Sequence, residues 1–192
     1  MRLTTAVLLL ACALLHAACT SPPENEMNQA RGAIDAARAA GADQYAAEES
    51  DAAVSSFKRS EDAVRQRDYR QALNYALDSR EQAQNAARSA ANQKAAVRSQ
   101  AERELHDTQL ALDAAHARLK AADGPRTRRR TLQAERRTIE SADAAVQKAR
   151  TAMGRQDYLG ARDAMRGVGD QLRAAIRAID ASTQAPAAKR RR

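Results

Sequence analysis

The stretch from Tyr69 to Ala122 contains neither Gly nor Pro, the two residues that most often interrupt a helix. Small and apolar residues recur along it in steps of four and three, with one extra step of four near Leu105. This repeat is typical of one face of a helix. If unbroken, the helix is about 80 Å long. The alternative is a break near Asn92, because that part of the face carries only Ala and Lys.

The rest of the composition agrees with a helical chain. Alanine accounts for 48 of the 192 residues, and there is no Trp. Large apolar residues are too scarce for a β-rich fold or a thick-cored α/β enzyme domain, which leaves thin helical bundles or disorder. Because these residues fall on helical stripes, we predict an all-α fold of elongated helical hairpins, an antiparallel coiled-coil-like bundle with Ala-rich seams. A chiefly disordered tether is the alternative.

Four further helices follow from the same periodicity. The first carries Met27, Ala30, Ile34 and Ala37 on one face and ends at Gly41, and the second runs from about Ala46 to Arg67 with Ala47, Ser50, Val54, Phe57, Glu61 and Val64 on its stripe. Gly124-Pro125 ends the long helix. Beyond it, one helix extends from Leu132 to Met153 and a last, continuous one from Tyr158 to Ile179.

An Asp-Tyr-x-x-Ala segment occurs twice, each time between two predicted helices. Its members are Asp68, Tyr69 and Ala72 in the first copy and Asp157, Tyr158 and Ala161 in the second. Asp is a favoured N-cap, and Gln71 three residues after Asp68 completes the pattern of a capping box. We therefore predict two helical hairpins. In each, Asp caps the second helix, Tyr packs across the corner, and Ala allows the helices to approach.

The first nineteen residues read as an export signal. Arg2 precedes an uncharged apolar run from Leu3 to Leu15, which is too short to span a bilayer, and two small residues precede Cys19. The segment resembles a bacterial lipoprotein signal, although His16 stands where an aliphatic residue is usual. The resemblance implies cleavage after residue 18, lipidation of Cys19 with acyl chains such as palmitate, and, with Thr20 next, the outer membrane facing the periplasm. The alternative is an ordinary secretory signal that leaves Cys19 a free thiol.

The region from about residue 28 to 95 resembles a family known as domain of unknown function 4398. The resemblance rests on the Ala-rich run 33–40, on Gly41-Ala42 with Tyr45, and on the segment 68–72. The sequence departs from the family pattern at Ala46, where proline is expected, and at Arg67, where Gly is usual. The resemblance implies a small helical bundle in the bacterial envelope and no particular activity.

The formal net charge of +8 is concentrated in two basic clusters. One is the tail 189–192, and the other comprises Arg126, Arg128, Arg129, Arg130, Arg136 and Arg137. Arginines near a helix N-terminus oppose the helix dipole, so an anionic partner is one interpretation. A solvated loop is the other. Nucleic acid is not an expected partner, because the chain reads as exported and lacks aromatic residues among the basic ones.

No residue pattern predicts catalysis or a metal site. His106 and His116 lie about 280° apart around one helix and cannot share a ligand. The acidic residues alternate with Arg at helical spacing, as do Glu102 and Arg98, which predicts surface ion pairs. We expect no enzyme activity, no cofactor, no metal and no small-molecule substrate.

The predicted organisation is a signal peptide (1–18), a lipidated tether (19–27), an N-terminal hairpin unit (28–122), an Arg-rich loop (123–131), a C-terminal hairpin unit (132–180) and a disordered basic tail (181–192). The expected function is that of a lipid-anchored helical scaffold of the cell envelope. Its partners would be an envelope protein or a second copy of the chain, bound through the helical seams. The alternative is a binder of an anionic envelope polymer, lipopolysaccharide or peptidoglycan, through the Arg clusters.

Overall fold

The computed structural model describes residues 21–122 and 132–184. The described residues form α1 (Glu24–Ala39), α2 (Ala42–Tyr45), α3 (Ala47–Arg65), α4 (Tyr69–Ala122), α5 (Gln133–Gly154), α6 (Tyr158–Met165) and α7 (Val168–Gln184). They contain no strand. The all-α fold class is confirmed, and α4 is continuous past Asn92.

The chain divides into two compact units, Met1–Lys94 and Ala95–Arg192. The division falls inside α4, whereas the sequence pattern suggests the loop after Ala122. The reason is that the second half of α4 shares its core with the helices that follow, through Leu112 and Ala115. Residues 91–100, on either side of the division, include no buried side chain.

Unit 1, the N-terminal unit, is built around an alanine seam on α4. Six residues of α4 spaced by four and three are fully buried, namely Ala72, Ala76, Ser79, Ala83, Ala86 and Ala90. Against them pack α1 and α3, which supply Ile34 and Phe57 as the only large apolar side chains buried among the described residues of this unit. Small side chains on facing helices bring the backbones close together, so little apolar area is needed to fill the space between them.

Hydrogen bonds between α3 and α4 reflect this close approach. The Ser60 hydroxyl donates to the carbonyl of Ala72 at 2.8 Å, and the Ser79 hydroxyl donates to the carbonyl of Ala53 at 2.8 Å. A serine side chain is short, so it reaches the opposite backbone only where two helices nearly touch. The periodicity predicts Val54, Glu61 and Val64 on the inner face of α3. That expectation is wrong in detail, because α3 instead buries Ser50, Ala53, Ser56, Phe57, Ser60 and Ala63.

Unit 2, the C-terminal unit, has a more conventional core. Its large buried side chains are Leu112, Leu132, Ile139, Val146, Val168, Leu172 and Ile179. A second cluster joins Tyr158, Ala161 and Met165 of α6 to Ala101 and Ala149. The large buried side chains lie on the stripes that the sequence predicts. Ile176, on the last of these stripes, is only partly buried.

The last predicted helix is divided in two. Arg166 has a ψ of 115° and Gly167 a φ of 75°, so the chain leaves the helical conformation after Met165 and α7 begins at Val168. The prediction of one continuous helix is therefore wrong. The apolar stripe nevertheless continues across the break, because Met165 and Val168 are both buried.

The helical region extends further at both ends than the sequence predicts. Helix α1 begins at Glu24, within the residues expected to form the tether, and the carbonyl of Pro23 accepts the first helical bond, from the amide of Met27 at 3.0 Å. Helix α7 continues to Gln184, beyond the predicted start of the tail at residue 181.

Candidate functional site

Two corners with the same backbone geometry join the main helices within each unit. In the first, the amide of Asp68 donates to the carbonyl of Ala63 at 2.9 Å and the amide of Arg67 to that of Val64 at 3.0 Å. In the second, the amide of Asp157 donates to the carbonyl of Ala152 at 2.9 Å and that of Gln156 to Met153 at 3.0 Å. Both pairs of bonds define a Schellman motif at the end of the preceding helix.

The same aspartates begin the helices that follow. The Asp68 carboxylate accepts from the amide of Gln71 at 3.0 Å, and the Asp157 carboxylate accepts from the amide of Gly160 at 2.9 Å. The capping box expected from Gln71 is only half formed, since its side chain donates to the Tyr75 hydroxyl. The Asp68 amide, which Gln71 would have bonded, is already used by the Schellman motif.

The alanines of the two corners are equally buried, whereas the tyrosines differ in burial. Ala72 and Ala161 are fully buried, and Tyr158 is 8% exposed within the unit 2 core, whereas Tyr69 is half-buried. The corner residues thus bond and pack within their own units.

Aromatic rings at the edge of unit 1 are covered by arginines. The guanidinium of Arg31 lies over the ring of Phe57 at 5.3 Å, and that of Arg59 over the ring of Tyr75 at 4.9 Å. Such cation–π contacts add to the stability of a core with few large side chains.

Only part of the first arginine cluster lies in the described residues. Arg136 and Arg137 fall near the start of α5, where Arg136 is half-buried and Arg137 exposed. Glu135 also stands in this first turn and offsets their unfavourable interaction with the helix dipole. Arg126, Arg128, Arg129, Arg130, the tail 189–192 and Cys19 lie outside the described residues.

Several titratable side chains of the described residues form exposed ion pairs. Arg98 donates to Glu102 at 2.7 Å, as their spacing predicts, and this hydrogen bond raises the pKa of Arg98. His116 contacts Asp143 at 3.0 Å. Within the described ranges no group of three or more His, Cys, Asp or Glu side chains is arranged to hold a metal ion.

No family model, curated protein or solved structure matches the chain. Among residues 21–122 and 132–184, no helix has the length and apolarity needed to cross a bilayer.

Proposed function

We propose that the chain is a lipid-anchored, non-enzymatic helical scaffold of the bacterial cell envelope. The observation that carries the proposal is the segment Leu3–Leu15 followed by Ala17, Ala18 and Cys19. Cys12 lies within the signal, so the mature chain holds one cysteine. An unpaired exported cysteine invites mispairing in an oxidising compartment, and acylation removes that liability. Several acyl chains hold a protein at a membrane stably, where one chain does not.

The anchor is tested by Cys19→Ser. We expect the variant to move from the membrane fraction to the soluble periplasm, and mass spectrometry of the mature N-terminus to lose the acyl mass. Thr20→Ser is the matched control, because it alters a neighbouring polar residue and keeps the thiol. Retention of Cys19→Ser in the membrane fraction would refute the anchor.

The scaffold role requires a protein partner. The alanine seam of α4 is already covered by the helices of unit 1, so docking is expected on exposed surfaces. We propose placing a photo-crosslinking residue at Leu110, which is 56% exposed, and at Arg137, and identifying the crosslinked proteins in intact cells. A reproducible partner at either position supports the role. The absence of any crosslinked protein, from these and from a scan of other exposed positions, contradicts it.

The second candidate function is binding of an anionic envelope polymer, and Arg136 and Arg137 near the N-terminus of α5 favour it. Replacing Arg128, Arg129 and Arg130 with Gln should then release the chain from lipopolysaccharide or peptidoglycan. Raised salt should weaken the binding, because exposed charges are screened. Gln substitutions at Arg155 and Arg177, exposed arginines outside the cluster, are the control. Binding that is indifferent to both salt and the cluster would exclude this function.

A further inference from the structure

The start of α1 and the first corner lie at the same end of unit 1. Arg80 of α4 donates to Gln29, near the start of α1. Ala37, farther along α1, packs with Ala86 and Ala90, which lie farther along α4. The two helices therefore run parallel. Because the first corner (residues 66–70) leads directly into α4, it shares this end of the unit with the first turn of α1.

The first corner projects beyond the start of α1. Gln29 and its partner Arg80 are 51 residues apart in the chain. Because the two helices run parallel, the same separation places Glu24 level with Tyr75. Helix α4 begins at Tyr69. At 1.5 Å per residue, the corner therefore extends roughly 9 Å past the first residue of α1.

The proposed lipid anchor is attached at this same end. Cys19 precedes Pro23 by four residues, and Pro23 immediately precedes α1. An extended chain spans at most about 3.6 Å per residue, so the anchored cysteine lies within about 14 Å of Pro23. A chain anchored through Cys19 therefore holds this end of unit 1 close to the bilayer surface.

The two corners share a backbone geometry but differ in their side chains. In the first, Arg67 and Arg70 are exposed on either side of the half-buried Tyr69. The second has Gln156 and Leu159 at the two arginine positions, and its tyrosine is buried in the unit 2 core. Tyr is enriched at membrane–water interfaces, because its ring is apolar and its hydroxyl polar. Arginines next to an anionic bilayer are attracted to it. Only the first corner carries this combination.

The carboxylates near the first corner leave its two arginines available. Asp62 is paired with Arg65, and Asp68 accepts from a backbone amide of α4. Among the described residues, neither arginine of the corner forms an ion pair. Glu24 and Glu26 stand in the first turn of α1, where the helix dipole favours them. They are set back from the corner by roughly the distance over which physiological salt screens a charge.

We propose that the first corner is a surface that contacts the membrane. Tyr69 lies at the level of the lipid headgroups, and Arg67 and Arg70 bind lipid phosphates. The inference rests on the proposed lipid anchor, which holds the corner at the bilayer. Unit 1 stands on this end, and its opposite end, at Gly41, points away from the bilayer.

Tryptophan fluorescence tests the contact, because the chain contains no Trp and Tyr69→Trp supplies a single reporter. The mature chain (19–192) holds one cysteine, through which it is coupled to a maleimide phospholipid. The vesicles consist of phosphatidylethanolamine and phosphatidylglycerol with a headgroup spin label as quencher. The two ends of α1 are about 24 Å apart. We therefore expect at least twofold stronger quenching for Tyr69→Trp than for Tyr45→Trp, at the opposite end. Equal or weaker quenching would overturn the proposal.

A second reporter guards against a fold disturbed by the larger ring at position 69. Gln66→Trp lies at an exposed position of the same corner, where a larger side chain has room. It should show the same preference over Tyr45→Trp. The circular dichroism spectrum of each variant should match that of the parent chain. Quenching of Gln66→Trp no greater than that of Tyr45→Trp would contradict contact at this corner.

The role of the two arginines is tested in the Tyr69→Trp chain. Replacing Arg67 and Arg70 together with Gln should reduce quenching about twofold, because the attraction to anionic lipid is lost. Arg88→Gln is the control, since this exposed arginine lies roughly 27 Å farther along α4 than Arg70. On vesicles of phosphatidylcholine alone, the double variant and its parent should be quenched equally. An unchanged signal on anionic vesicles would refute phosphate binding by these arginines.

Failure of this proposal and failure of the anchor give different results. Coupling through the thiol imposes the anchor, so the quenching does not depend on lipidation in cells. Retention of Cys19→Ser in the membrane fraction refutes the anchor. Equal quenching at the two ends of unit 1, with Cys19→Ser released from the membrane, refutes the membrane contact and leaves the anchor standing.

Discussion

Arg67 and Gln156 adopt the same left-handed backbone conformation, each with a φ of 61°, immediately before the aspartate of the two corners. A residue with a side chain pays about 1–2 kcal/mol for this conformation, which Gly adopts readily. Both positions therefore have a backbone conformation that favours Gly.

The first prediction is that Arg67→Gly and Gln156→Gly stabilise their units. Relief of the left-handed strain is partly offset by the greater freedom of Gly in the unfolded chain, which leaves a net gain of about 0.5–1 kcal/mol. Urea denaturation followed by circular dichroism measures the free energy of unfolding. Arg67→Ala is the control, because it removes the charge and keeps the strain. An equal gain from Arg67→Ala would show that charge, and not conformation, is responsible.

The second prediction concerns the caps. Asp68→Ala should lower the free energy of unfolding of unit 1 by about 1 kcal/mol, because the Gln71 amide loses its acceptor. Asp68→Asn keeps an oxygen acceptor and should have a much smaller effect. Hydrogen exchange of the first turn of α4 locates the change. Equal losses from the two substitutions would indicate that the charge of Asp68 matters more than its hydrogen bond.

The third prediction tests the close approach of α3 and α4. Ser79→Ala removes the bond to the Ala53 carbonyl and should cost about 1 kcal/mol. Ser79→Leu inserts a large side chain into the fully buried seam and should cost about 1–3 kcal/mol or more through overpacking. Ser89→Leu, at a partly exposed position of the same helix, is the control. A higher melting temperature for Ser79→Leu than for Ser79→Ala would contradict the close packing of α3 against α4 at this position.

Local chemistry explains which features the sequence predicts. Helix positions follow from apolar periodicity, and the corners follow from Asp as an N-cap, a signal contained within four residues. Gly41 ends α1 as predicted and has a φ of 87°. A Cβ there would also lie 3.3 Å from the ring of Tyr45, so a side chain at this position would require that ring to shift.

Features that depend on the distance between helices cannot be predicted from the spacing of apolar residues. The inner face of α3 is set by small residues, and Ser60 is buried because its hydroxyl reaches the Ala72 carbonyl. The break at Gly167 leaves the apolar stripe intact, so periodicity does not reveal it.

The fourth prediction concerns the core of unit 2. Leu172 is fully buried among large apolar side chains of unit 2, so Leu172→Ala should cost about 2–5 kcal/mol through lost contacts and the cavity it leaves. Leu110→Ala is the matched control in the same unit. Leu110 is 56% exposed, and its replacement should change stability by less than about 0.5 kcal/mol.

The effect of Leu172→Ala should also be confined to unit 2. The core cluster that contains Leu172 is made entirely of residues of unit 2. Hydrogen exchange followed by mass spectrometry should show faster exchange in α5–α7 and in the part of α4 near Leu112, with unchanged protection around Ala76 and Ser79. Faster exchange throughout α1 and α3 would show instead that the two units unfold as one cooperative structure.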